Sequence, residues 1–241
     1  MARNKFVKKC FKAIIVFIIL AILMSAGFCF IYPNISVLNK ENPGKTSFME
    51  YREAEWKRQG RKISIKQIWS PLSRISPYLV KAVLISEDDK FYQHEGFDFD
   101  AIEKALEKDI KQKKFRFGGS TISQQLVKNL YLSPSKNPLR KLREAILTWR
   151  LEKTLSKKRI LEIYLNVAEW GDGIFGIEAA SFHYYGKPAS ALIPEEAAKL
   201  ASVLPNPRKH NPAVPSHYVE KRSKIILNIM VKRGLVTEEY D

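Results

Sequence analysis

Cysteine is nearly missing from these 241 residues: there are two, Cys10 and Cys29, and none after residue 29. Everything beyond must be held by packing, without disulfides or thiolate metal sites. Acid is scarce beside base, with 25 Asp and Glu against 41 Lys and Arg, a formal net charge of +16. Such an excess favours anionic lipid headgroups and phosphate-bearing substrates as partners. Internal repeats are absent, as is any alternating β-branched run long enough to require a major sheet. The fold expected is therefore mainly α. The Gly-rich loop ending in Lys-Ser/Thr is also missing, which excludes a nucleotide-binding P-loop.

What residues 13–32 lack is charge. Ala13 to Tyr32 form an apolar run of twenty residues without an acid, a base or a polar stripe. As a helix it spans roughly 30 Å, the thickness of a bilayer's hydrocarbon core. Arg3, Lys5, Lys8, Lys9 and Lys12 precede it with no acid among them, which predicts a cytoplasmic amino terminus. The small residues Ser25 to Gly27 leave a cleaved signal peptide as the alternative, although the run is longer than the usual ~7–15 residues. The expected organisation is a basic tail over 1–12, a transmembrane helix over 13–32, a polar stalk over 33–60 and a catalytic domain over 61–241. That domain lies outside the cytoplasm, and this location argues against nucleic acid as a partner.

Beyond the stalk, helix-start signals recur. Ser76-Pro77 opens a helix through about Ser86, and Asp98 or Asp100 caps another reaching about Gln112. Lys111 to Phe117 reads as a basic, aromatic loop. Thr121 and Gln124 have capping-box spacing, Asn137-Pro138 starts a long helix, and Ser156 caps the next. Gly171, Gly173 and Gly176 read as a loop. Further helices follow from Glu178, Pro194 and Ser216.

Three stretches place polar residues where packing does not need them. In the first, Glu87, Asp88 and Asp89 crowd the end of a helix, where the dipole opposes negative charge, with His94 close behind. A carboxylate so placed has a raised pKa, useful in a general base. In the second, Gly118-Gly119-Ser120-Thr121 precedes a helix whose N–H groups suit an anion, and Gln124, Gln125 and Lys128 share one helical face. In the third, Glu144 has Arg140 and Lys141 at i−4 and i−3. Each has a plain alternative: a solvated acidic loop, a capped polar helix, a surface ion pair. Together, two carboxylates on separate segments plus cations suit displacement at an anomeric carbon with a diphosphate leaving group.

In this order, EDDKFYQHEGFD, GGSTISQQLVKN, RKLRE and KKRILEIYLN resemble the signature blocks of the family 51 peptidoglycan glycosyltransferases, and GDGIFGIEAA and LASVLPNP extend the match. The chain is similar in particular to the monofunctional biosynthetic peptidoglycan transglycosylases. That resemblance implies a lysozyme-like α-helical fold, with a larger head and a smaller lobe near the membrane. It implies a membrane-anchored polymerase that joins lipid II units through β-1,4 links with inversion, from an undecaprenyl diphosphate donor to the acceptor's 4-hydroxyl. Glu87 would be the base and Glu144 would assist departure of the pyrophosphate. Lys128, Arg140 and Lys141 would neutralise phosphate charge, while Asp88, Phe91, His94, Ser120, Thr121, Gln124 and Gln125 would line the cleft. The growing glycan, membrane lipids and other wall-synthesis proteins are the partners implied. Inhibition by moenomycin and indifference to β-lactams are implied as well.

No organic cofactor is expected. A divalent cation such as Mg2+ or Mn2+ is compatible with Asp88, Asp89 and Glu144, though no ligand spacing demands it. Phe115, Phe117, Leu130, Tyr131 and Leu132 are candidates either for the membrane interface or for the core. Two rival readings are a lysozyme-like glycan-cleaving enzyme and a non-catalytic wall scaffold.

Overall fold

Side-chain caps decide where most of the helices begin. The computed structural model describes residues 11–17, 20, 24, 27, 31–112, 119–134 and 137–236. Thr46 opens α1 (Ser47–Arg58), its hydroxyl accepting from the Met49 N–H at 3.2 Å. Pro77 begins α2 (Pro77–Glu87). Ser76 stands at that N-cap as predicted, but its hydroxyl donates instead to the Leu192 carbonyl at 2.8 Å. Asp98 caps α3 (Phe99–Gln112) through the Ala101 N–H. The Thr121–Gln124 capping box opens α4 (Ile122–Tyr131), Asn137 caps α5 (Pro138–Thr154) and Ser156 caps α6 (Lys157–Val167). The series closes with α7 (Ile177–Tyr185), α8 (Pro194–Val203) and α9 (His217–Lys232). The mainly helical expectation holds.

Two stretches differ from their reading in sequence. The glycine-rich segment after α6 is a small hairpin rather than a loop: β2 (Glu169–Gly171) pairs antiparallel with β3 (Ile174–Phe175), and β1 (Lys66–Gln67) adds in parallel beside β3. Strands this short carry no alternation to detect. The supposed stalk is part of the folded body. Ile35 and Leu38 are buried in a 3-10 turn, and Met49 and Trp56 of α1 are each 1% exposed. Arg159 fastens this segment by donating to the carbonyls of Leu38 at 2.7 Å and Glu41 at 2.8 Å. Its polar composition hid four anchoring apolar residues.

At the centre is α4. Ten residues make a marginal helix in isolation, but here Ile122, Leu126, Val127 and Leu130 are all buried. Burial of each such side chain contributes about 1.5–3 kcal/mol. α4 packs against α1, α5 and α6, while α2, α8 and α9 form a second group, and the C-terminal end of α2 meets α4. Leu130 and Leu132 belong to the core, and Tyr131 is half-buried against it. Phe115 and Phe117 lie outside the described residues, as does much of the predicted loop from Lys111 to Phe117. Among the described residues no helix is long and apolar enough to cross a membrane. Ten of the twenty residues in the 13–32 run lie outside those described.

Candidate active site

Glu87 is the last residue of α2, and its side chain is 9% exposed. Oε2 accepts from Gln125 Nε2 at 3.0 Å, and Oε1 accepts from Ser86 Oγ at 3.1 Å. The Gln125 amide is itself oriented, because the buried Tyr164 hydroxyl donates to its Oε1 at 3.0 Å. Burial raises the Tyr164 pKa well above its ordinary value, so the phenol keeps the proton it donates. Glu87's pKa is also raised, first by burial, against opposing contributions from Gln125, Arg222, Ser86 and Lys128. The direction matches the expectation from sequence. Desolvation is the largest contribution to that rise.

Asp88 does a different job. It is buried, with Oδ1 2.9 Å from His94 Nε2 and Oδ2 accepting the Ile122 N–H at 2.9 Å. His94 Nδ1 accepts from the Gly96 N–H, which assigns the ring proton to Nε2 and makes it the donor to Asp88. The anion at the N-terminus of α4 is thus the protein's own carboxylate. Nearby donors are likewise occupied: Thr121 N–H by Gln124 Oε1, Gln124 N–H by Thr121 Oγ1, and the Thr121 hydroxyl by the Gly96 carbonyl. These residues hold the end of α4 against the loop after α2. Ser120 is exposed just ahead of the helix. Phe91 is a correction: it is wholly buried in the core, with the Lys157 ammonium 4.4 Å from its ring centroid, and presents no face to a ligand.

Glu144 projects from α5 with its side chain 4% exposed, paired with Arg140 at 2.9 Å and with Lys141. This is no solvated surface pair, because the carboxylate is taken out of water while both cations remain partly exposed. Lys128, on α4, is coupled electrostatically to both carboxylates. Burial lowers its pKa, Glu144 raises it, Arg140 and Lys141 lower it, and Glu87 raises it. Among the described residues no hydrogen bond or ion pair occupies its ammonium. Lys128 also lines a cavity of about 190 Å³ with Gln125, Tyr164, Glu169, Arg52 and Phe48.

A half-buried, unengaged cation coupled to two carboxylates beside a cavity suits an anionic ligand. Residues 56–231 match the family model described as Transglycosylase. The chain belongs to the transglycosylase family. It is 45% identical over 230 residues to a biosynthetic peptidoglycan transglycosylase of Nitrosospira multiformis, covering 95% of this chain and 99% of that one. Another of the same name from Dechloromonas aromatica is 50% identical over 186 residues, covering 77% and 80% of the two chains. One from Janthinobacterium sp. (strain Marseille) is 45% identical over 228 residues, covering 95% and 97%.

The segment matched to the family contains every site residue from Glu87 to Glu144. It also contains two that sequence reasoning missed, Tyr164 and Arg222. Tyr164 lies inside the block KKRILEIYLN, but a tyrosine on a helix carries no local mark of its partner. Arg222 approaches Glu87 from α9, and nothing local announces that. The carboxylates offered to a divalent cation are each engaged within the protein. Asp88 is held by His94 and Ile122, Asp89 by Arg233 at 2.6 and 2.8 Å, and Glu144 by Arg140 and Lys141. Among the described residues no group of three or more His, Cys, Asp or Glu side chains is placed to hold an ion.

Proposed function

We propose that this transglycosylase polymerises lipid-linked disaccharide units into peptidoglycan strands, with Glu87 as general base and the Lys128–Arg140–Lys141 cations receiving the diphosphate. The observation that carries this reading is Lys128, half-buried and unengaged among the described residues, within electrostatic reach of both Glu87 and Glu144. The acceptor's 4-hydroxyl gives its proton to Glu87, and its oxygen attacks the donor's anomeric carbon opposite the diphosphate. The bond from that carbon to the diphosphate oxygen breaks, and the electron pair leaves with the phosphate. An α-linked donor therefore yields a β-1,4 product. Glu144, buried between Arg140 and Lys141, orients those cations rather than donating a proton itself. No step requires a metal.

The anchor belongs to this proposal as well. Phe11, Ile14, Phe17, Leu20, Met24 and Ile31 are helical in conformation and strongly exposed. A row of apolar side chains this long is accounted for by lipid around it. The catalytic body then sits at the outer face of the cytoplasmic membrane, with the lysozyme-like head away from the bilayer and the smaller lobe against it. Moenomycin, as a mimic of the lipid-linked donor, competes for the same cations.

Incubation of the purified protein with lipid II in detergent, with products resolved by size, tests the proposal. A ladder of lengthening glycan is expected. Release of short fragments from preformed glycan, without any ladder, would support the lytic reading instead. Binding to lipid II vesicles with no turnover would support the scaffold.

A further inference from the structure

Arg222 arrives from α9, 136 residues beyond Ser86 in sequence, and reaches the end of α2. Its Nη2 lies 3.1 Å from Ser86 Oγ, 3.4 Å from the Ser86 carbonyl oxygen and 3.8 Å from Glu87 Oε1. Its Nε is buried without a hydrogen-bond partner. Among the described residues, Glu87 is the carboxylate within ion-pair distance of this guanidinium. Ser86 has a single hydroxyl proton, and its Oγ lies 3.1 Å from Glu87 Oε1 and 3.2 Å from the Ala201 carbonyl oxygen of α8. By donating into Ser86 Oγ, Arg222 polarises that O–H towards its acceptors.

The other groups facing Glu87 cannot replace this charge during turnover. Gln125 of α4 is neutral, and Tyr164 of α6 acts through Gln125. Asp88, next in the chain, is engaged with His94 and repels negative charge. Lys128 is the other cation nearby, but a bound diphosphate neutralises it at the moment the base must act. Arg222 is the cation that remains.

Resting on the reading of Glu87 as the base, we propose that Arg222 is its positioning residue, fixing the last turn of α2 through Ser86 and holding the carboxyl in its proton-accepting form while the diphosphate is bound. The test uses the full-length chain with Arg222→Gln and Arg222→Lys. The pH dependence of kcat/KM on lipid II is measured alongside direct titration of Glu87 in protein labelled with ¹³C-carboxyl glutamate, with Glu87→Gln assigning the signal. In Arg222→Gln the acid limb moves to higher pH. Turnover at neutral pH falls roughly ten-fold, as loss of one close charge predicts, and recovers as pH is raised. Arg222→Lys restores most of it, and the Glu87 titration midpoint moves with the limb. A folded Arg222→Gln with an unmoved limb and midpoint overturns the inference, and so does a loss uniform across pH. Should Arg222→Gln fail to fold, Arg222→Lys decides: lacking the planar fork to Ser86, it moves the limb part of the way, and no movement overturns the inference. If the wild type makes no polymer, a moved Glu87 midpoint still upholds the coupling and only the polymerase reading fails.

Discussion

Glu87 meets two opposed demands, since a base must ionise and a buried carboxyl resists it. Its folded-state pKa is raised above the usual carboxylate value, chiefly by desolvation. The folded state therefore binds more protons than the unfolded one between the two values. Stability contributed by the neutral form is full at acid pH and is lost as pH rises through the folded pKa. Glu87→Gln should then abolish polymerisation, by ~10²–10⁴-fold or more, while melting at a temperature no lower than wild type at neutral pH. Calorimetry beside the polymerisation assay checks both parts, and a destabilised variant would count against the desolvation account. Tyr164→Phe removes the hydroxyl that orients Gln125. One buried hydrogen bond is worth about 1 kcal/mol, so kcat/KM should fall roughly five-fold with Glu87 intact. An unchanged kcat/KM would show that Gln125 needs no such support.

Among the elements, α4 is where sequence and structure agree most closely, because a capping box is local chemistry and can be read directly. Thr121→Ala should cost about 1–2 kcal/mol in urea unfolding, since the Thr121 hydroxyl also ties α4 to the Gly96 carbonyl. A loss below a few tenths of a kcal/mol would show the cap to be redundant. What was not legible in α4 is what its N-terminus holds. Glycines before a helix suggested a site for a substrate anion, whereas Asp88, 34 residues earlier in the chain, occupies the Ile122 N–H. The element missed altogether was α1, in a segment whose polar residues outnumber Met49 and Trp56. The hairpin after α6 was missed because two- and three-residue strands have no period. Its exit is tightly constrained: Gly176 has φ 78°, and a Cβ there would meet the Asn166 carbonyl oxygen at 2.7 Å. Gly176→Ala should lower stability by about 1–3 kcal/mol, read by thermal unfolding, and a neutral result would mean that the hairpin relaxes freely.

Across the whole molecule, the site is where the α2–α8–α9 group meets the group around α4. Its parts were legible separately: Glu87, Gln125, Lys128 and Glu144 all stood out for their polarity on ordered segments. Their convergence was not, because it depends on the end of α2 meeting α4 and on the packing of α5 on α4, which no local pattern encodes. Arg222 entered only through the packing of α9 on α2, and Tyr164 only through that of α6 on α4; Phe91 left the site because its ring is needed in the core. The cationic half of the site has its own test. Lys128→Ala should reduce turnover roughly ten- to hundred-fold, the loss of one charge-assisted contact, and added salt should weaken the wild type less than an exposed patch would allow. Near-normal turnover by Lys128→Ala below saturation would leave the diphosphate without its main proposed partner. The most direct test of the central claim is the product ladder from lipid II, made side by side by wild type and by folded Glu87→Gln. The account predicts lengthening glycan from the first and none from the second; a ladder of equal length and rate from Glu87→Gln would contradict it.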